Sequence, residues 1–201
     1  CIGLMAAAIS TGIAMVYGSL SGMSRRWVDR GLMGFADLML SVPQILIVVF
    51  LQAMFGKSGY LSLALSIGVT GWMAMARIIR NEVRRIRETD YVTAARMMGG
   101  SFGYILRKHL LPGFLPAVLY AAVSSIGAAM MTEATLSFMG LGLPVAEVSW
   151  GSLLSDSQNA LLSGSWWIIL IPGIVLIGTL IAIAALGEQV RKGNTRLHSN
   201  L

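Results

Sequence analysis

The 201-residue sequence is poor in charge, in cysteine and in histidine. Charged residues make up 12% of the chain, whereas soluble domains carry about 25%, so an ordinary water-soluble fold is excluded. The one cysteine, Cys1, excludes an internal disulfide. The two histidines, His109 and His198, have no partner at metal-ligand spacing. We therefore predict no catalytic, metal-binding or cofactor-binding site in this chain.

A complete phosphate-binding loop is missing as well. The residues Gly56, Lys57 and Ser58 resemble the end of such a loop. However, the pattern needs a glycine five residues before Gly56, and Leu51 stands there. The pattern also needs a preceding strand. The sequence therefore predicts no nucleotide site.

Apolar residues are abundant: 56% of the chain is hydrophobic, and the mean hydropathy is +0.74. A helix of about 20 apolar residues crosses the oil layer of a membrane. Five stretches suit such spans, and they cover residues 2–20, 32–55, 60–75, 112–136 and 167–186. The predicted fold class is all-α, a polytopic transmembrane helical bundle that forms one domain over residues 1–201.

Three local features modify this bundle. Pro43 lies within the second stretch and is expected to kink it. An uninterrupted helix over residues 60–88 would be about 43 Å long, which exceeds the roughly 30 Å oil layer. Its arginine-rich end is therefore predicted to project into the cytoplasm. Gly18 and Gly22 have the spacing of a helix-contact pair, although a chance pair in a glycine-rich chain explains the spacing equally well.

The basic residues are distributed very unevenly. Fourteen of the 15 fall in alternate loops, and only Lys57 falls on the other side. Because lysine and arginine favour the cytoplasmic side, we predict a cytoplasmic loop over residues 89–111 and a cytoplasmic C-terminal tail over residues 187–201. This charge pattern is explained by topology, so the net charge of +6 does not indicate a nucleic-acid partner.

Residues 137–166 are then predicted to form an extracytoplasmic loop. The apolar positions within residues 152–162 suit a short amphipathic helix at the outer surface. Trp150, Trp166 and Trp167 fit an aromatic belt at the membrane surface, and ordinary packing explains them equally well.

The longest polar loop has a pattern of its own. Asp90 is predicted to cap a short helix over residues 91–98. Gly99 and Gly100 end this helix, since glycine adopts the left-handed C-cap conformation at little cost. Alanines on this helix keep it slim, so the backbone of another protein can come close. Ser101 is then expected to cap a second short helix, and Pro112 suits the first turn of the next membrane helix.

The alanines, the glycine and the terminal Leu-Pro of this loop have a recognisable spacing. Ala94-Ala95, Gly99, position 109 and Leu111-Pro112 fit the pattern E-A-A-x3-G-x9-I-x-L-P. The pattern resembles the EAA loop of ABC importer permeases, most closely the second, C-type permease of the peptide and nickel branch. Thr93 departs from the usual glutamate, which would form a capping box with Asp90. His109 departs from a frequent apolar residue. Residues 137–142 and 149–151 also resemble the family's S-F-L-G-L-G and S-W-G sequences.

The resemblance implies a fold, a function and a set of partners. The fold would be that of a type I-like ABC importer permease, with one more helix upstream. The chain would form a pore in the bacterial inner membrane with a homologous second permease. Two cytoplasmic ATPases, which bind ATP and Mg, and an extracytoplasmic solute-binding protein would complete the transporter. The substrates implied are dipeptides, oligopeptides, nickel or other metal chelates.

The resemblance also assigns residues to coupling with the ATPases. The predicted coupling residues are Asp90, Thr93, Ala94, Ala95, Arg96, Gly99, His109, Leu111 and Pro112. Four arginines nearby either pair with acids on an ATPase or act as positive-inside anchors, namely Arg84, Arg85, Arg87 and Arg96.

Glu133 is the one acidic residue deep within a predicted span. A charge at the bilayer centre costs roughly 2.5–3.5 kcal/mol on insertion scales, so the side chain is expected to face protein or water. Together with Ser124, Ser125 and Thr132 it is a candidate for the translocation path. A buried, hydrogen-bonded structural acid is the alternative.

Two other functions stay open at this point. A channel or secondary-carrier subunit without an ATPase would need gating or ion-coupling charges within its spans. Only Glu133 and, marginally, Asp37 are available for that role. A non-transporting membrane scaffold would use the loop merely to recruit a soluble partner. ATP-dependent uptake distinguishes both from an importer.

Overall fold

The computed structural model describes residues 1–56, 59–144, 147–158 and 164–198. Within these ranges lie α1 (Ile2–Met23), α2 (Arg26–Ser41), α3 (Gln44–Phe55), α4 (Tyr60–Arg87), α5 (Asp90–Met97), α6 (Phe102–Ile105), a π-helical turn (Leu106–Leu110), α7 (Leu111–Phe138), α8 (Trp150–Asp156) and α9 (Trp167–His198). No strand occurs in these ranges, and the prediction of an all-α fold is confirmed.

Several of these helices are suited to cross a membrane. α1, α4, α7 and residues Trp167–Lys192 of α9 are long and apolar enough individually. α2 and α3 meet the same requirement only as a pair, either as one broken span or as a re-entrant segment. The part of the chain described therefore offers four spans, or five when the pair counts as one.

The second predicted span is broken at Pro43 rather than kinked there. α2 ends at Ser41, and α3 begins at Gln44 with Pro43 at its N-cap, where φ is −54° and ψ is 123°. A proline ring disfavours helical backbone at the preceding residue, here Val42. Its missing N–H costs nothing before a helix start, where the first N–H groups have no partner within the helix.

The chain divides into two compact units. Unit 1 comprises Cys1–Ser10, Val42–Gly71 and Val123–Leu186. Unit 2 comprises Thr11–Ser41, Trp72–Ala122 and Gly187–Leu201. Helices α1, α4, α7 and α9 each contribute residues to both units.

The core of unit 2 is built on α4. Buried side chains at Met75, Ile79, Val83 and Ile86 recur every three or four residues, which places them on one face of the helix. The same core takes in buried residues from the 90–112 segment and the start of α7, namely Val92, Ile105, Leu110 and Phe114. The short helix α5 is therefore part of a packed body rather than a loose loop.

Gly18 and Gly22 form a true helix contact in unit 2. A Cβ at Gly18 would lie 2.6 Å from the carbonyl oxygen of Ala76, and one at Gly22 would lie 2.8 Å from Val83. These approaches leave no space for a side chain, so α1 lies directly against α4. Of the two explanations for the glycine spacing, the structure supports the contact.

Unit 1 has a core of its own. Its buried apolar residues come from α1, α3, α4 and α7, and they are Ile2, Ala6, Val48, Leu63, Ala64, Ile67, Ala129 and Leu136. Helix α8 lies against α7, because a Cβ at Gly151 would stand 2.6 Å from the carbonyl oxygen of Ala134.

The segment predicted to hold an amphipathic helix contains α8. This helix covers residues 150–156 and begins with a capping box between Ser149 and Ser152. Residues 159–162 of the predicted amphipathic segment lie outside the described residues. Trp166 and Trp167, at the start of α9, are exposed, and their rings meet edge to face at 5.9 Å. The predicted tail continues α9 as helix as far as His198.

Candidate functional site

Helix α5 begins one residue earlier than the sequence pattern indicates. The N–H of Thr93 donates to the carbonyl oxygen of Thr89 at 3.0 Å, so Thr89 occupies the N-cap position and Asp90 the first turn. The Asp90 carboxylate still suits the positive end of the helix dipole. However, a capping box led by Thr89 would use position 92, so Asp90 and position 93 do not have the spacing of the capping box that the sequence pattern suggested.

The two faces of α5 differ sharply. Val92 is fully buried and Ala95 is 6% exposed, whereas Met97 and Met98 are 84% and 82% exposed. Ala94 lies on the exposed side with Thr93. Of the two alanines in the motif, therefore, only Ala94 presents a small side chain on the exposed face of α5. Ala95 is buried against the rest of unit 2.

Gly99 ends α5 as the sequence predicts. Its φ is +83°, a left-handed conformation that favours glycine, and Gly100 donates its N–H to the carbonyl oxygen of Ala95 at 3.0 Å. Beside this turn lies an open hollow of about 640 Å³. Its lining is mainly apolar and aromatic, with Tyr91, Ala95, Met98, Gly99, Gly100, Ser101 and Tyr104.

The second short helix of the loop merges into α7. Ser101 caps α6, since its Oγ accepts from the N–H of Tyr104 at 3.4 Å. The chain then widens into a π-helical turn, where Leu111 donates its N–H to Leu106. A wider turn relieves the contact between the Pro112 ring and the preceding carbonyl groups, so Pro112 stands in the first turn of α7, as predicted.

Two of the predicted coupling residues have side chains outside the described residues, namely Arg96 and His109. Nearby, the Lys108 ammonium lies 5.2 Å from the Tyr104 ring centre, and a hydrogen bond with Tyr104 raises the pKa of Lys108. Where the chain is described, no three side chains among His, Cys, Asp and Glu form a group able to hold a metal ion.

The arginines at the end of α4 have partners within unit 2. Arg84 lies 2.8 Å from the Asp29 carboxylate. Arg85 pairs with Glu82, one turn earlier, at 2.8 Å. Arg87 donates to the carbonyl oxygen of Met23, at the end of α1, at 3.1 Å. The structure thus assigns internal contacts to three arginines considered for ATPase acids.

Asp29 is a residue that the sequence pattern did not single out. It is 3% exposed, and its carboxylate accepts hydrogen bonds from Ser21 Oγ at 2.7 Å and from Arg80 Nε at 2.8 Å. The signal was present, because Asp29, Met33 and Ala36 fall at helical spacing and all three are buried. An acid on the buried stripe of a helix indicates a paired charge.

A second aspartate of α2 also pairs with α4. Asp37 forms an ion pair with Arg77, and both side chains are about half exposed. The two pairs differ in burial, since the Asp29 side chain is buried and the Asp37 side chain is about half exposed.

The residues proposed for the translocation path lie in different surroundings. Thr132 donates its hydroxyl back to Ala128, and Ser124 is exposed. Ser125 lines a small cavity of about 60 Å³ together with the buried hydroxyl of Ser10. Among the described residues, Ser125 and Glu133 line two different cavities.

Glu133 itself is buried on α7 in unit 1. Its Oε1 accepts a hydrogen bond from Ser137 Oγ at 2.8 Å, and Ser137 Oγ accepts from the N–H of Leu143 at 3.3 Å. These bonds fasten the turn after α7 to the helix, as a structural acid would. Glu133 also lines a largely apolar cavity of about 590 Å³ with Tyr60 and Trp150. Its place in a translocation path stays a prediction.

The family of this chain follows from comparison with known proteins. Residues 14–192 match the family described as "Binding-protein-dependent transport system inner membrane component". The chain belongs to this family, because the match covers most of its length. The exposed short helix between long apolar helices is thereby placed in a membrane transport protein.

Individual relatives carry more particular names. The chain is 33% identical over 190 residues to the dipeptide transport system permease protein DppC of Bacillus subtilis, covering 94% of this chain and 59% of that protein. It is 32% identical over 190 residues to the oligopeptide transport system permease protein OppC of the same organism, covering 94% and 62%. The chain thus spans about three-fifths of the length of these relatives.

A solved structure shares the fold. A chain of the MetNI methionine ABC transporter, in an inward-facing conformation, superposes with a TM-score of 0.79. The match covers 96% of this chain and 90% of the other, at 20% sequence identity. This likeness shows that the two chains share a fold.

Proposed function

We propose that the chain is a permease subunit of an ATP-driven importer and helps to form its pore. Membership of the family supports this function, since the family is described as the inner membrane component of a binding-protein-dependent transport system. The location would be the bacterial inner membrane. ATP and Mg would be bound by separate ATPase subunits.

The observation that carries the proposal is the outward face of α5. Met97 and Met98 expose large apolar side chains, while Val92 and Ala95 anchor the same helix to the core. Flexible methionines adapt well to a partner's groove. A short helix fixed on one side and apolar on the other is suited to dock into a cleft of a cytoplasmic ATPase.

The proposed mechanism is rigid-body coupling. When ATP closes two ATPases on each other, the helix seated in one cleft would move with that subunit. Because α5 shares a core with α1, α4 and α7, its movement would pass into helices that cross the membrane. The result would be alternating access to a pore shared with a homologous second permease.

The remaining partners follow from the same proposal. An extracytoplasmic solute-binding protein would deliver the substrate. Residues Trp167–Lys192 of α9 form the most exposed of the apolar helices, with 11% of their most apolar stretch buried. This surface would meet lipid and the second permease. The basic end of α9, with Arg191 and Lys192, favours a cytoplasmic C-terminus.

We propose short peptides as the substrate class, because the two Bacillus subtilis relatives are named for dipeptide and oligopeptide transport. Nickel or other metal chelates form the competing class. Uptake of a labelled dipeptide, a labelled pentapeptide and nickel by the assembled transporter in vesicles distinguishes them.

The docking model is tested by Ala94→Glu, which places a charge in the middle of the exposed face of α5. Burying an unpaired charge at an interface costs more than about 1.4 kcal/mol, which is a factor of ten in affinity. We expect ATP-driven uptake in vesicles to fall at least about tenfold at unchanged permease level.

The matched control is Gly31→Glu, on an exposed position of α2 where a Cβ meets open space. It adds the same charge to unit 2 away from α5 and is expected to leave uptake nearly unchanged. Full ATP-driven uptake by the Ala94→Glu transporter would refute docking through α5.

A further inference from the structure

The buried Asp29 lies where three helix ends of unit 2 meet. It stands in the first turn of α2 and accepts from Ser21 near the end of α1. It also accepts hydrogen bonds from Arg80 of α4 and forms an ion pair with Arg84 of the same helix. Both carboxylate oxygens have partners. Oδ1 accepts from Ser21 Oγ and Arg80 Nε, and Oδ2 accepts from Arg80 Nη2 and lies 2.8 Å from Arg84 Nη2.

Arg87 extends this arrangement by one turn of α4. Its Nη1 donates to the carbonyl oxygens of Gly22 and Met23, at 3.4 Å and 3.1 Å. These carbonyls belong to the end of α1, where helical partners are lacking. Arg87 therefore caps α1 from α4, three residues before α5 begins.

Close contacts between α1 and α4, next to this network, leave little freedom for the two helices to slide along each other. Gly22 lies against Val83, and Gly18 lies against Ala76 and Ile79. Ile86, on the same face of α4, shares the core with Val92 of α5. The polar network and the glycine contact join α1, α2 and α4, and the shared core with Val92 connects α5 to α4.

Apolar packing alone is poorly suited to hold a helix pair in one register, because it is non-directional. Bidentate and charge-assisted hydrogen bonds add a fixed geometry. A buried charge with all its partners present is tolerated, whereas removal of one partner leaves an uncompensated charge.

We propose that Asp29 is a positioning residue for energy coupling, which keeps α1, α2 and α4 in register with α5. The inference rests on the proposed function. With Asp29 intact, a displacement of α5 reaches all three helices. Without Asp29, α1, α2 and α4 follow the movement of α5 less closely. Less solute is then transported for each ATP hydrolysed.

The test compares two aspartates that both join α2 to α4. Asp29→Asn keeps the shape and removes the buried charge, and Asp37→Asn does the same at the half-exposed pair with Arg77. The assembled transporter in vesicles is assayed for uptake and ATP hydrolysis, and their ratio is the readout. A purely structural defect reduces the amount of transporter and both rates alike, which leaves the ratio unchanged.

We expect Asp29→Asn to lower uptake per ATP by about threefold to tenfold, within the range that single substitutions in coupled networks produce. Asp37→Asn is expected to stay within about 1.5-fold of the unmodified chain, as exposed pairs contribute little. An unchanged ratio in Asp29→Asn overturns the inference.

A milder variant covers the case in which Asp29→Asn does not assemble. Arg84→Gln leaves Arg80 and Ser21 on the carboxylate and is expected to lower the ratio about twofold, toward the low end of network substitutions. An unchanged ratio in an assembled Arg84→Gln transporter likewise overturns the inference. Absence of ATP-dependent uptake with the unmodified chain would instead refute the proposed function.

Discussion

The end of α4 and the outer face of α5 are neighbours in the chain with opposite surface chemistry. On α4, Arg84 and Arg87 direct their guanidinium groups toward Asp29 and toward the end of α1. At the end of α5, Met97 and the next residue, Met98, expose apolar side chains. Large apolar side chains are usually buried and charged ones exposed, so this pair of regions reverses the common arrangement.

This difference between α4 and α5 indicates which residues are candidates for contact with a partner protein. Arginines beside the EAA-like motif look like docking residues, yet Arg84 contacts Asp29 and Arg87 contacts the end of α1 within unit 2. The exposed methionines look like ordinary packing residues in the sequence, yet α5 leaves them outside the core. The charged residues at the end of α4 form contacts within unit 2, and the exposed apolar side chains are the ones proposed for docking.

The largest expected effect comes from breaking the contact that holds α4 to α1. Gly18→Leu would force a side chain against the Ala76 carbonyl oxygen, which cannot move aside. Overpacking typically costs about 1–3 kcal/mol, and more where backbone must shift. We expect a large loss of monodisperse protein and a lower Tm in detergent.

The control for this variant is Gly12→Leu, on the same helix, where a Cβ meets open space. It is expected to leave the yield and the Tm nearly unchanged. Equal behaviour of the two leucine variants would show that α1 and α4 are less closely packed than the structure has them.

An intermediate effect separates the two faces of α5. Val92→Ala removes buried side-chain volume and is expected to destabilise the protein by about 0.5–3 kcal/mol, measured by thermal unfolding. Met97→Ala changes an exposed residue, so its effect on stability is expected within about 0.5 kcal/mol. It should instead weaken ATPase binding by more than about 1 kcal/mol, or roughly fivefold in Kd.

The affinity of each variant for the purified ATPase subunit provides the second measurement. The comparison between the two faces fails if Met97→Ala binds the ATPase normally, or if it destabilises the protein as much as Val92→Ala does.

The smallest effect is expected at Arg85 of α4, whose side chain is 65% exposed. Arg85→Gln breaks an exposed pair with Glu82 one turn earlier, worth about 0.2–0.5 kcal/mol. Uptake per ATP and Tm should both remain close to those of the unmodified chain. A strong loss of ATPase binding in this variant would assign Arg85 to docking and weaken the contrast between α4 and α5.

Much of the fold could be predicted because it depends on local patterns. Apolar length identified the membrane-spanning candidates, and Gly99 identified the end of α5. The break at Pro43 was predicted only as a kink, since the cost of leaving a helix depends on neighbours that satisfy the backbone. The cap of α5 was misplaced by one residue, because Thr89 and Asp90 are both suitable N-cap residues.

The site was harder to predict, because it depends on contacts distant in the sequence. Asp29 stands among Arg26 and Arg30, which are its obvious partners along the chain. Its observed partner Arg80 is 51 residues away. Likewise Ala94 and Ala95 are identical in the sequence, and only packing decides that one faces outward and the other inward.

The sequence by itself determined that this protein is helical, membrane-embedded and equipped with a short helix in a basic loop. Apolar length, glycine and proline act through the nearest few residues, so their effects appear directly in the chain order. Tertiary structure alone decided that Asp29 joins α2 to α4, that α4 packs directly against Gly18 of α1, and that Met97 is left exposed. Each of these contacts depends on which helix faces pack together. That packing depends on the whole chain, because buried polar backbone groups and charges must find partners in distant segments.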